Sequence, residues 1–108
     1  MGAWGYGILE NDIALDVDDR IETLMKKGLS LVDSVDNILN NKYNRICADC
    51  VLTIGEIELD RLGYVAHKKE VKEILLRELT PARLKRWGKN LEMRKETLLA
   101  FGRNSKLL

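Results

Sequence analysis

Apolar residues recur along this chain at intervals of three and four, the period of a helix that buries one face. From Asp12 to Lys27 the stripe is Ile13, Val17, Ile21, Leu24 and Met25. Asn11 or Asp12 offers a cap for the first amides, Asp16, Asp18 and Asp19 follow near the positive end of the helix dipole, and Lys26 and Lys27 sit at its negative end before Gly28. A second helix follows Ser30, with Leu31, Val32, Val35, Ile38 and Leu39 in register, and weakens at Asn40-Asn41. The spacing then predicts a third helix from Asn44 to Leu62. Its inward residues are Ile46 or Cys47, Cys50, Val51, Ile54, Ile57 or Glu58, and Leu62. Gly55 and the β-branched Val51, Thr53, Ile54 and Ile57 make a strand over residues 50–54 the competing reading.

A fourth helix is expected from about Ala66 to Leu79, with Val71, Ile74, Leu75 and Leu79 inward and Lys68, Lys69, Lys72 and Arg77 outward. Thr80-Pro81 starts a fifth, because proline suits a first-turn position whose amide has no partner. Leu84, Trp87, Leu91, Leu98 and Phe101 share one of its faces, Gly88 is a point where it kinks or splits, and Gly102 is the expected stop before a tail at 103–108. No strong segment alternates with period two. The expected fold is therefore all-α, a bundle or array of about five helices in one domain spanning 1–108. The glycine-rich segment 1–11 carries Trp4, Tyr6, Ile8 and Leu9, apolar enough to need a place in the core.

Composition narrows the class further. With 45% hydrophobic and 32% charged residues the chain suits a globular protein and not a disordered one. No apolar run approaches the roughly 18–20 residues of a membrane span, and no secretory signal pattern is present. Two cysteines are too few for a disulfide-stapled scaffold, which points to the cytoplasm. The net charge of +1 conceals a division: residues 1–62 carry twelve acids against six bases, residues 63–108 five against twelve. Whether the two halves form separate surfaces depends on how the helices pack.

The string Gly2-Ala3-Trp4-Gly5-Tyr6-Gly7, followed by Asn11-Asp12-Ile13-Ala14-Leu15-Asp16, resembles a family of small bacterial proteins classed as a domain of unknown function. That family shows a G-x-W-G opening and a following N-D-x-A-x-D. The likeness covers about twenty residues and implies a cytoplasmic, mostly helical domain; some proteins of this appearance are associated with toxin-immunity loci. Independently of the family, the glycines allow a tight turn that folds Trp4 back onto the helices as a plug.

Candidate chemistry is sparse. Cys47-Ala-Asp-Cys50 has the spacing of a metal or redox pair, yet there is no second cysteine pair, a single His67, and no preceding strand, so buried helical thiols are the plainer reading. His67, with no nucleophile motif tied to it, reads as a helix-start histidine. Nothing completes a catalytic set, a metal site or a cofactor site, and the expectation is a protein that is not an enzyme. Asp12, Asp16 and Asp19 line one face of the first helix and are the candidate contacts to a protein partner, as in an immunity-type inhibitor. The alternative partner is nucleic acid, held by Arg83, Arg86 and Arg94 beside Trp87, although Glu70, Glu73, Glu78, Glu92 and Glu96 interrupt that basic half.

Overall fold

In a computed structural model, residues 7–108 are described and form seven α-helices with no strand element among them. They are α1 Asp12–Lys26, α2 Leu31–Leu39, α3 Lys42–Ile46, α4 Ala48–Leu62, α5 Lys68–Glu78, α6 Pro81–Leu84 and α7 Leu91–Asn104; a 3₁₀ segment, Lys85–Asn90, joins the last two. The all-α expectation holds, and residues 50–54 are helical. The Trp4 plug, Tyr6 and the whole G-x-W-G motif lie outside the described residues.

Local chemistry explains the helix starts. The buried Asn11 side chain accepts from the Ala14 N–H at 2.7 Å, and its amide donates back to the Ile8 carbonyl at 3.1 Å. Ser30 accepts from the Asp33 N–H at 3.1 Å, and Asn41 accepts from Tyr43 and Asn44. Each such cap contributes about 1 kcal/mol. Thr80 behaves differently: its hydroxyl donates to the Arg77 carbonyl at 2.7 Å, closing α5 and leaving α6 to start on Pro81 alone.

Two boundaries differ from the sequence expectation, and a third falls at Gly88 as expected. The helix foreseen over 44–62 begins earlier, at Lys42, and breaks at Cys47, whose extended backbone (φ −81°, ψ 114°) ends α3 and starts α4. Ile46, offered as inward, is left exposed by the break. The fifth helix splits at Gly88, whose φ of +53° and ψ of −123° few other residues adopt, and so falls into α6, the 3₁₀ segment and α7. Gly102 does not stop α7. The helix runs on to Asn104, where Lys106 takes the left-handed position (φ 61°); the Leu107 N–H reaches the Gly102 carbonyl at 2.9 Å and the Lys106 N–H the Arg103 carbonyl at 3.1 Å. The residues expected to be a tail thus fold onto the body, burying Ser105 and Leu107.

The described core is one continuous apolar cluster with α4 at its centre, packed against α1, α3 and α5 and touched by α7. Every residue from Cys50 to Gly55 is buried, so α4 shows no clean polar face over that stretch. This accounts for the strand-like composition: a helix surrounded on all sides favours compact apolar side chains whatever their intrinsic propensity. Gly55 supplies the closest approach. A β-carbon there would lie 2.8 Å from the Phe101 Cζ of α7 and 2.8 Å from the Val71 Cγ1 of α5, both in fully packed positions.

Gly55→Ala is therefore expected to destabilise the protein by about 1–2 kcal/mol, despite alanine's better helix propensity, because overpacking outweighs that gain. Urea denaturation of the variant beside wild type measures it.

Candidate functional site

Glu58 lies on the inward side of α4 with 0% exposure, a carboxylate inside the core cluster. Its Oε1 accepts from the His67 backbone N–H at 3.0 Å, and its Oε2 meets the His67 Nδ1 at 2.5 Å. The opposite ring nitrogen, Nε2, lies 2.6 Å from Asp36 Oδ1 on α2. One histidine, placed at the start of α5, therefore joins α2, α4 and α5. A ring with a carboxylate at both nitrogens donates at both only as the imidazolium. Burial works against that charge, but the hydrogen bonds to Asp36 and Glu58 outweigh it and hold His67 above its ordinary value. Both ring nitrogens are committed to carboxylates, and among the described residues neither engages a Ser or Cys nucleophile. The cluster is a charged staple across three helices.

The sequence reading of His67 as an ordinary helix-start residue placed it correctly on the chain and missed its partners. Glu58 carried a signal, a carboxylate at a core position of the helical stripe. Asp36, exposed on α2, carried none.

The predicted acidic face is on the outside of α1. Asp12, Asp16 and Asp19 are exposed, and among the described residues they enter no ion pair. Their neighbours differ: Arg61 of α4 binds Glu22 at 2.5 Å and stands 3.7 Å from Asp18, so that these two acids are neutralised at the α1–α4 seam. Beside the outer stripe runs a groove of about 450 Å³, bounded by Ile13, Asp16, Val17 and Arg20 of α1, Ile38, Tyr43 and Asn44, and the two cysteines. Tyr43, 80% exposed, stands at its edge.

The three arginines offered as a nucleic-acid ridge line one cleft of about 470 Å³ together with Arg77, Glu78 and Trp87, and they differ in exposure. Arg94 is 2% exposed, with its guanidinium 4.4 Å from the centre of the Trp87 ring. Burial draws it below its ordinary value against the attraction of Asp49 and Glu78. Arg83 leans on Glu78 at 3.8 Å, and Arg86 alone of the three is exposed. Arg77 is also engaged, donating to Glu78 at 3.2 Å and to the Ile46 carbonyl at 2.9 Å. The buried Arg94 guanidinium stacked on Trp87 packs the start of α7 against the preceding 3₁₀ segment.

Cys47 is half-buried and Cys50 is buried, both as free thiols. Among the described residues no group of three or more His, Cys, Asp and Glu side chains is arranged to hold a metal ion, and no helix is long and apolar enough to cross a membrane. Compared with protein-family models, curated proteins and solved structures, the chain matches none.

The staple has a pH signature. Because His67 is raised in the folded protein, its stabilisation is fully present below about 6.5, the ordinary imidazole value, and is lost as pH climbs through the higher folded value. Unfolding free energy measured from pH 6 to pH 9 is expected to fall in wild type. In His67→Gln the fall should be much shallower and the pH 6 stability lower.

Proposed function

We propose that this protein works by binding a basic protein partner through the outer face of α1. Asp12, Asp16 and Asp19 supply the charge, and the adjoining groove takes an apolar side chain against Ile13, Val17 and Tyr43. What carries the reading is the contrast along one helix: Asp18 and Glu22 are matched by Arg61, whereas the three outward aspartates are matched by nothing among the described residues. Exposed, uncompensated charges add little to folding and much to steering an oppositely charged partner. An apolar groove beside them gives the contact the desolvated centre that charge alone cannot supply. An immunity-type inhibitor of a cationic protein has this form, consistent with the association suggested by the chain's opening motif.

The test is an affinity capture from the native host, using wild type, a triple Asp12→Asn, Asp16→Asn, Asp19→Asn variant, and Ile13→Lys. A partner recovered by wild type at low salt is expected to drop at least about tenfold with either variant and to weaken as salt rises. Recovery that ignores all three changes removes the α1 reading.

A further inference from the structure

Cys47 and Cys50 occupy unlike places at one helix start. Cys47 is the N-cap of the 15-residue α4, in extended backbone, with no side chain closing the first turn, and it is partly open to the groove. Cys50 sits three residues on, within the first turn, 2% exposed and lining the same groove from below. The break at Cys47 is what sets them apart, since in the continuous helix expected from the sequence both would sit in mid-helix.

We propose that Cys47 and Cys50 form a reversible dithiol–disulfide couple that exchanges with disulfides entering the groove, Cys47 attacking and Cys50 resolving. The attacking species is a thiolate, which must reach the incoming disulfide. Cys47 has that access, standing partly open to the groove at the N-cap of α4. Cys50 does not compete for it: burial, then the nearby Cys47 and Asp49, push its thiol up to about 12, so it stays protonated until a neighbouring sulfur is activated.

In the first step the Cys47 thiolate bonds to one sulfur of the incoming disulfide, whose S–S bond breaks. The other sulfur leaves as a thiolate and takes up the proton that Cys47 lost. In the second step the Cys50 sulfur attacks Cys47 Sγ, the mixed disulfide breaks, and the Cys50 proton passes to the departing sulfur. The incoming disulfide is reduced to two thiols, and the protein's two thiols are oxidised to one disulfide. Residues three apart at a helix start are near enough for that bond with small backbone adjustment. The exchange needs no macromolecular partner, so its outcome is separate from that of the α1 face.

The probe is oxidised glutathione in defined mixtures with reduced glutathione, read by acid quench, alkylation of free thiols and intact mass. Wild type is expected to interconvert between the dithiol and a two-proton-lighter intramolecular disulfide, tracking the glutathione ratio. Cys50→Ser is expected to stop as a mixed disulfide with glutathione on Cys47. Cys47→Ser is expected to react at least about tenfold more slowly than Cys50→Ser, because its remaining thiol is buried. Circular dichroism of each variant confirms that the helices are retained. The proposal is overturned if wild type stays reduced in excess oxidised glutathione, accumulates the mixed disulfide without resolving it, or forms its disulfide between two chains. Equal reaction of the two single variants would overturn the assignment of roles.

Discussion

A carboxylate sealed inside an apolar cluster is the constraint around which this fold is arranged. Left unpartnered, Glu58 would cost several kcal/mol as an ion, and the chain answers with a backbone amide and an imidazolium from the same residue. That answer fixes where α5 begins, because His67 must arrive at α4 with both its N–H and its ring turned toward Glu58. The second ring nitrogen then reaches Asp36 and ties α2 to the same point. Three helices are thereby held in one relative placement by a group that apolar packing alone would not specify.

Around this joint α4 is enclosed. Gly55 lets α5 and α7 come close, and the C-terminal residues fold back so that Leu107 closes the end of α7. At the other end the Arg94 guanidinium lies against Trp87, with Asp49 and Glu78 offsetting the burial of its charge. The acidic and basic halves of the sequence do not cancel wholesale. The Arg61 pairs stay within the acidic half and the Glu78 pairs within the basic half, while His67 and Arg94 carry charge across the divide. The outer side of α1 is consequently left acidic.

The two functional readings meet at one groove. Its α1 wall borders the unmatched aspartates, and its far wall holds the cysteine pair at the start of α4. A rigid central helix presenting its first turn to a solvent-lined groove is a physically economical way to combine recognition and thiol chemistry, since the core that buries Cys50 also positions Cys47.

The sequence by itself determined the helical class, the starts of α1 and α2, the end of α1 at Gly28, the weak point at Gly88 and the outward placement of Asp12, Asp16 and Asp19. These follow from caps, glycine conformations and the 3.6-residue period, which act within a turn or two of chain and are written locally. Tertiary structure alone decided the break at Cys47, the docking of residues 105–107, the burial of Arg94 and the partners of His67. For His67 the deciding atoms are brought together from separate helices: Asp36 and Glu58 lie 31 and 9 residues from it, and no local rule couples them. Burial is a property of the assembled core, and a residue's periodic position tells which way it faces but not what meets it there.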